Sequence, residues 1–198
     1  YTYIPARVGD ARETLADVTR AKRALKWAPQ THLRIWIKTL DWFYMIITKC
    51  PLRISLAGGS TDLQDFIDYY GRGSVINFPV NLYTYIMLGS DIYGPNKILG
   101  KYVINYTRRE EEKKVENIKN DVAREVLKYF DCKQIICTFY SDISTSGSGL
   151  GSSSSYTLAF VKAVSKFKKI QLSDSEICTI SLEIEKTFNK HTGYQDIY

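Results

Sequence analysis

The stretch that decides the fold is "ISTSGSGLGSSSS", residues 143–155, in which glycine and serine fill ten of thirteen positions. Such a composition suits either a flexible linker or a rigid turn that binds phosphate. The neighbouring residues distinguish the two, because "KQIICTFYSDI", residues 133–143, has the β-branched and aromatic content of a strand. A linker has no reason to follow a packed strand directly and to lead straight into a packed helix. We therefore predict a strand, a phosphate-binding turn and a helix.

The helix behind the glycines is predicted from spacing. Apolar side chains recur at intervals of three and four residues at Tyr156, Ala159, Phe160, Ala163, Val164 and Phe167. Glycine allows positive φ and close backbone approach, and the first N–H groups of a helix carry partial positive charge, so the combination favours a polyphosphate. No GK[ST] follows the glycines and the spacing is not GxGxxG, which excludes a Walker loop and a dinucleotide fingerprint.

Composition limits the class of protein. A chain of 198 residues with 44% apolar side chains can bury one core and a small second unit. The net charge of +6 and the pI near 9.0 suit an anionic ligand. The basic residues are scattered among 21 acidic ones, so we expect no nucleic-acid partner.

The cysteine pattern and the apolar runs indicate a cytoplasmic protein with reduced thiols. The cysteines form no CxxC pair, which argues against a zinc site and a disulfide framework. The most apolar run, residues 35–48, is interrupted by Lys38 and Asp41 and is too short to cross a bilayer. We expect neither a signal peptide nor a membrane helix.

Other elements are predicted around the glycine-rich turn. After Met45 the pattern indicates a strand, a turn at Gly58-Gly59, a short helix that Ser60 or Thr61 could cap, and a second β-rich stretch. Residues 111–130 are expected to form an amphipathic helix with one face made of Val115, Ile118, Val122, Val126 and Tyr129. The "SDSE" at residues 173–176 predicts a purely structural capping box.

Three motifs in this order resemble the GHMP kinase superfamily, which includes galactokinase, homoserine kinase, mevalonate kinase and phosphomevalonate kinase. They are "PLRISLAGGSTD" at 51–62, "GSGLGSSSS" at 147–155 and "EKTFNKHTGYQDIY" at 185–198. The segment "MIITKCPLRISLAGGSTDL" is most similar to the D-glycero-D-manno-heptose 7-phosphate kinases within that superfamily. Over residues 45–198 the resemblance implies an α+β fold, the GHMP kinase N-terminal domain, which is similar to domain 2 of ribosomal protein S5.

The resemblance also implies a catalytic and a metal site for phosphoryl transfer from Mg-ATP to the anomeric hydroxyl of a sugar phosphate. Asp196 would accept the proton of the attacking hydroxyl or orient that hydroxyl, and Arg53 would offset the developing charge. Mg²⁺ would be held by Ser153, with Ser152 as the alternative, and by Glu185. Glu185 precedes Asp196 by eleven residues, as in relatives of this group.

The remaining motif residues are expected to bind the two substrates. The ATP phosphates would be held by Gly147, Ser148, Gly149, Leu150, Gly151, Ser152, Ser153 and Ser154. The sugar would be held by Asp62, Gly59 and Ser60. The structural alternatives are a helix cap for Asp62, a surface strand position for Arg53, a solvated helix position for Glu185 and a terminal turn for Asp196.

Residues 4–43 resemble the C-terminal end of nucleotide-sugar epimerases and dehydratases. The Rossmann glycines and the Tyr-x-x-x-Lys pair of that family are absent from the sequence, so we expect an inert helical remnant over residues 1–44 followed by a truncated kinase domain over 45–198. Two hypotheses follow for the whole chain. It is a small-molecule kinase acting on a heptose phosphate, on galactose or fucose, or on mevalonate or homoserine; or it is an inactive binding module fused to an epimerase tail.

Overall fold

The computed structural model describes residues 17–26, 45–89, 100–144 and 147–198. The chain divides into two units, Tyr1–Trp42 and Phe43–Tyr198. In the first unit helix α1, Thr19–Leu25, confirms part of the helix expected over residues 16–25. The helix predicted through Leu33, Ile37 and Leu40 lies outside the described residues.

The second unit is built on a mixed five-stranded sheet. Its strands are β1 Ile46–Ala57, β2 Ile76–Gly89, β3 Tyr102–Asn105, β4 Arg109–Glu112 and β5 Ile136–Ser141. Their order is β1-β2-β5-β3-β4. Strands β3 and β5 run parallel, and the other neighbours are antiparallel. The two strands and the intervening turn and helix predicted after Met45 are confirmed.

Four helices accompany this sheet in the described part of the unit. They are α2 Gln64–Tyr70, α3 Asp121–Tyr129, α4 Ser152–Phe167 and α5 Asp174–Phe188. Two short 3-10 helices cover Val115–Asn117 and Tyr194–Asp196. The predicted α+β class is therefore confirmed, with a mixed sheet and helices packed on it.

Helix α4 lies at the centre of the core, as its apolar spacing predicted. Ala159, Ala163 and Val164 are buried, and Phe160 is 0% exposed. The ring of Phe160 meets that of Phe139 edge-on at 5.6 Å between centroids. Because this helix begins directly behind the glycines, the turn that precedes it is fixed on one side by the core.

The predicted helix over residues 111–130 is wrong in its first half. Residues 109–112 form β4 instead, paired with β3, and a charged edge strand of this kind needs no apolar face. The helix begins only at Asp121, where the Asn120 Oδ1 accepts the Ala123 N–H at 2.9 Å. Its buried face includes Val126, whereas Tyr129 is 49% exposed.

The two predicted helix caps have opposite outcomes. Neither Ser60 nor Thr61 caps α2, because the Thr61 hydroxyl bonds to the carbonyls of Gly58 and Ser74 at 2.7 and 2.9 Å and closes the loop between β1 and β2. The capping box of α5 is confirmed, with Ser173 as its N-cap. The loop before α2 is therefore held by Thr61 rather than by a helix terminus.

Two observations bear on the compartment. No helix among the described residues is long and apolar enough to cross a membrane. The four cysteines, all described, carry free thiols, and burial raises the pKa of the Cys132 thiol to about 11.

Candidate active site

An ion pair between Arg53 of β1 and Asp196 of the last 3-10 helix joins the two ends of the unit. The Arg53 Nε donates to Asp196 Oδ1 at 2.7 Å, and Nη2 makes a second, shorter contact with the same oxygen. The two side chains are 18% and 24% exposed, so a ligand can reach them. Both contacts use Oδ1, which leaves Oδ2 of Asp196 without a donor among the described residues.

The same arginine holds the glycine-rich turn. Its backbone N–H donates to the Leu150 carbonyl at 3.1 Å, and its Nη1 donates to the Gly149 carbonyl at 2.7 Å. Gly151 has φ of +68°, and a Cβ there would lie 3.2 Å from the Arg53 Nε. Any other residue at 151 would be strained and would press on the guanidinium.

Serine side chains at the start of α4 face two directions. Ser153 is exposed, whereas Ser154 and Ser155 are 2% and 3% exposed. The Ser155 Oγ lies 2.7 Å from the Thr84 Oγ1 and 3.1 Å from the Cys50 carbonyl, which ties the helix start to β1 and β2. The helix N-terminus is therefore held in place while its first turn stays accessible.

Glu185 of α5 is a buried carboxyl group beside this helix start. It is 1% exposed, and burial raises its pKa; hydrogen bonds from Ser154 and Ser153 oppose the shift, and the nearby charge of Asp196 adds to it. Its Oε2 is buried without a hydrogen-bond partner. An unsatisfied carboxylate oxygen next to an exposed serine hydroxyl fits a hard cation such as Mg²⁺.

The described residues form no cluster of three or more His, Cys, Asp and Glu side chains that could hold a metal. One carboxylate and one hydroxyl are few protein ligands for Mg²⁺. That number is nonetheless common where the ion binds mainly to water and to substrate phosphate oxygens. The donor set therefore fits Mg²⁺ bound together with a nucleotide.

We expect the Glu185→Gln variant to lose a pH dependence of stability. In the ligand-free protein the raised pKa means that the folded state keeps a proton that the unfolded state releases. The free energy of unfolding therefore falls as pH rises from the ordinary value of 4.5 through the raised pKa. Urea titrations between pH 4 and 8 in EDTA should show this decline in wild type and a flatter profile in the variant, and identical profiles would contradict the assignment.

The matched control for this measurement is Glu183→Gln. Glu183 is an exposed residue of the same helix. We expect its variant to keep the wild-type decline, because the effect arises from the burial of one carboxyl group. A flattened profile in both variants would indicate a general charge effect.

Asp62 is placed against the turn that carries Asp196. It is 6% exposed; its Oδ2 accepts the Gln195 N–H at 2.8 Å, and its Oδ1 is buried without a partner. A Cβ on Gly193 would lie 2.3 Å from Oδ2, so glycine is required for this approach. The helix-cap alternative for Asp62 is not observed, because α2 begins at Gln64 with Leu63 as its N-cap.

The other two expected sugar ligands lie in the turn between Asp62 and β1. The position of a Cβ on Gly59 is 3.7 Å from the Gln195 Nε2, which places this glycine beside the same catalytic turn. Ser60 has a positive φ of 72° and its carbonyl accepts the Leu63 N–H at 3.3 Å. Their contact with a sugar stays a prediction.

The sequence analysis missed three polar residues that surround Asp196. Ser55 of β1 donates to the Gln195 Oε1 at 2.8 Å, and Asn77 of β2 donates to the Gln195 carbonyl at 2.9 Å. The adjacency of Gln195 to Asp196 was the only available signal. Ser55 and Asn77 read as ordinary strand residues.

A cavity of about 460 Å³ adjoins the glycine-rich turn. Its lining combines aromatic, apolar and polar side chains: Tyr106, Thr107, Asn120, Val122, Phe139, Tyr140, Ser141, Ile143, Ser144 and Tyr156. Ser144 lies just before the turn in the sequence and Tyr156 lies in the first turns of α4. The cavity is therefore continuous with the segment expected to bind phosphate, and its size suits a small organic group.

The structure groups most of the predicted site residues. Arg53 and Asp196 meet the Gly149–Gly151 turn, and Ser153 and Ser154 meet Glu185. Gly147 shares the positive φ of the other turn glycines, and the Ser148 Oγ accepts the Leu150 N–H at 3.4 Å. Ser152 is the first residue of α4, and Ser154 points inward to Glu185 rather than outward.

Comparison with known proteins places this geometry in a class. Residues 116–198 match the family model described as the GHMP kinases N terminal domain. The sheet order, the glycine-rich turn and the helix behind it belong to that fold. The chain therefore contains a GHMP kinase N-terminal domain, and the predicted fold is confirmed.

Particular relatives refine this assignment. The chain is 31% identical over 148 residues to a D-glycero-alpha-D-manno-heptose 7-phosphate kinase of Campylobacter jejuni, covering 71% of this chain and 43% of the relative. A solved D-glycero-D-manno-heptose 1-phosphate kinase from Bacteroides thetaiotaomicron is 27% identical, with a TM-score of 0.62 and coverage of 77% and 52%. The Methanococcus jannaschii mevalonate kinase shares the fold, at 21% identity, a TM-score of 0.58 and coverage of 77% and 50%.

The chain thus spans about half the length of the relatives it matches. The homology to heptose phosphate kinases is distant, and it concerns the part of those proteins that corresponds to this domain. The resemblance of residues 4–43 to an epimerase stays a prediction, because most of those residues lie outside the described part of the chain.

Proposed function

We propose that this domain takes part in ATP-dependent phosphorylation of a heptose phosphate at its anomeric hydroxyl. The observation that supports this proposal most directly is the contact of Arg53 with both the Gly149 carbonyl of the glycine-rich turn and the Asp196 carboxylate. A kinase must bring the phosphate-binding segment and the acceptor hydroxyl together. Here a single guanidinium contacts both the turn and the proton acceptor.

Asp196 is positioned to handle the proton of the acceptor. Its Oδ1 is bound to Arg53, and its Oδ2 is free of donors from the described residues. An acceptor hydroxyl hydrogen-bonded to Oδ2 would be oriented for attack and would give its proton to the carboxylate. Arg53, which keeps its charge throughout, would stabilise the negative charge that develops on the transferred group.

The nucleotide would occupy the turn and the start of α4. Mg-ATP supplies the phosphoryl group and the charge neutralisation when bound. Backbone N–H groups from Gly147 to Gly151 and the first turn of α4 would bind the phosphates. Glu185 and Ser153 would hold the metal, and the 460 Å³ cavity beside the turn would take the base.

The substrate assignment rests on the relatives. Heptose 7-phosphate is named for the Campylobacter protein and heptose 1-phosphate for the Bacteroides one. We propose the 7-phosphate as the substrate, since the segment at residues 45–63 is most similar to that subgroup. The likeness to mevalonate kinase lies at the level of fold and supports no substrate. A cytoplasmic location, which suits a sugar-phosphate substrate, remains part of this proposal.

The test is an ADP-release assay of the full chain with Mg-ATP and D-glycero-D-manno-heptose 7-phosphate. Mevalonate, homoserine and galactose serve as parallel acceptors. We expect ADP release with the heptose, together with a new anomeric phosphate signal in the ³¹P spectrum. Turnover with another acceptor and none with the heptose would overturn the substrate assignment.

A calorimetric titration with Mg-ATP separates the kinase from the binding module. Nucleotide binding without turnover of any acceptor would favour the binding module. Absence of both binding and turnover would contradict the proposed role of the glycine-rich turn.

A further inference from the structure

Every polar group of Gln195 but its side-chain amide N–H₂ is engaged by a different segment. The backbone N–H donates to Asp62 Oδ2 at 2.8 Å, and the backbone carbonyl accepts from Asn77 Nδ2 at 2.9 Å. The side-chain Oε1 accepts from the Ser55 hydroxyl at 2.8 Å. Gln195 is thus bound to β1, to β2 and to the loop between them.

The residues on either side of Gln195 add to this attachment. The Tyr194 hydroxyl donates to Gln64 Oε1 at 2.6 Å, and the Tyr194 N–H lies 3.4 Å from the Asp62 carbonyl. Ile197 is 4% exposed and donates its N–H to the Tyr194 carbonyl. Asp196 is the member of this turn whose side chain is left to face the glycine-rich turn.

We propose that Gln195 is a positioning residue through which Asn77, Ser55 and Asp62 set the location of the Asp196 carboxylate. None of these three side chains has a described contact with Asp196 itself. They fix the peptide unit from which it projects, on two opposite sides and through the neighbouring side chain. The catalytic consequence rests on the proposed kinase function; the positional one rests on the hydrogen bonds alone.

The geometry explains why such positioning would matter. Arg53 holds Asp196 through Oδ1, and the guanidinium is itself bound to the Gly149 carbonyl. A shift of the Gln195 peptide would therefore turn the carboxylate about this contact and move Oδ2 away from the acceptor. Displacements near 1 Å at a reacting group can lower rates by about 10²-fold.

The first test variant is Asn77→Asp, which keeps the shape of the side chain and removes the amide donor. An acceptor oxygen would then face the Gln195 carbonyl. We expect kcat to fall by about 10- to 100-fold. The KM for ATP should be unchanged, because Asn77 has no described contact with the glycine-rich turn. A purely structural role would instead lower the amount of folded protein without this separation of kcat from KM.

The matched control is Asn81→Asp, the same change at an exposed position of the same strand. It alters charge and strand propensity in the same way and touches none of the Gln195 bonds. Equal loss of kcat in both variants would overturn the proposal. So would a wild-type kcat in Asn77→Asp.

A second pair keeps the proposal testable if Asn77→Asp folds poorly. Ser55→Ala removes the donor to Gln195 Oε1, whereas Ser55→Thr retains a hydroxyl. We expect Ser55→Ala to lower kcat and Ser55→Thr to restore most of it. Equal behaviour of the two variants would contradict the role of the Ser55 hydroxyl.

Amide hydrogen exchange distinguishes failure of this proposal from failure of the proposed function. In Asn77→Asp, unlike Asn81→Asp, the Gln195 and Ile197 amides should exchange at least tenfold faster, while β5 amides keep their wild-type protection. Unchanged exchange in the turn would overturn the positioning role whatever the activity. Wild-type protein without turnover, but with faster exchange in Asn77→Asp, would count against the kinase function alone.

Discussion

We expect the Asp196→Asn variant to lose about 10²- to 10⁴-fold in kcat, the range that a positioned general base contributes. The amide has nearly the same shape and can still accept a hydrogen bond from Arg53 through its oxygen. It cannot take up the proton of the acceptor hydroxyl. The measurement is ADP release at saturating Mg-ATP and heptose 7-phosphate, with Mg-ATP affinity determined in parallel by calorimetry.

The control for this variant is Asp65→Asn, which makes the same change at an exposed position in the first turn of α2. Its kcat should equal that of wild type. An Asp196→Asn enzyme with more than a tenth of the wild-type kcat would show that the carboxylate is not the proton acceptor. Loss of Mg-ATP binding in the same variant would place Asp196 in the nucleotide site instead.

Arg53→Lys is the second change with a large expected effect. The planar guanidinium reaches Asp196 with two nitrogens and the Gly149 carbonyl with the third, whereas an ammonium group is a single point of charge. Lysine can therefore not hold both partners in the same geometry. We expect kcat to fall by about 10²-fold, as for the loss of one donor that stabilises developing charge. The KM for ATP should rise because the glycine-rich turn loses a contact.

Stability distinguishes this functional effect from unfolding. The Arg53–Asp196 pair is partly exposed, and such pairs contribute about 1 kcal/mol or less to the free energy of unfolding. Arg53→Lys should thus unfold at nearly the urea concentration of wild type, as should the control Arg72→Lys at an exposed position. A variant with full activity would mean that charge alone suffices at position 53.

The part of the site that could be predicted from the sequence is the part with local signatures. The glycines at 147, 149 and 151 all adopt positive φ, and the residues behind them follow a helical period. Both are short-range patterns. The order of the three motifs then led to Arg53 and Asp196, which the structure brings into contact.

The residues that could not be predicted act over long distances in the sequence. Asn77 and Ser55 bind Gln195 across 118 and 140 positions. Nothing in the strands that contain them distinguishes these polar side chains from ordinary ones. Their role appears only when the topology places β1 and β2 beside the last 3-10 helix.

The error over residues 111–130 has a similar cause. The glutamates before Lys113 favour helix by propensity, but the pairing of β4 with β3 outweighs that preference. Local propensity is a weak guide to a short charged edge strand. Asn120, whose side chain caps α3, marks the true start of the helix.

The bond between Arg53 and Asp196 joins positions 143 residues apart. At the usual pace of translation, roughly 5 to 20 residues per second, the arginine leaves the ribosome about 7 to 30 s before its partner. During that interval the nascent β1 and β2 can pair, but the guanidinium and the Asp62 carboxylate wait without the turn that they will hold. Competence for proton transfer is therefore acquired in the final moments of synthesis, so a partly made chain carries the phosphate-binding turn before it carries the base.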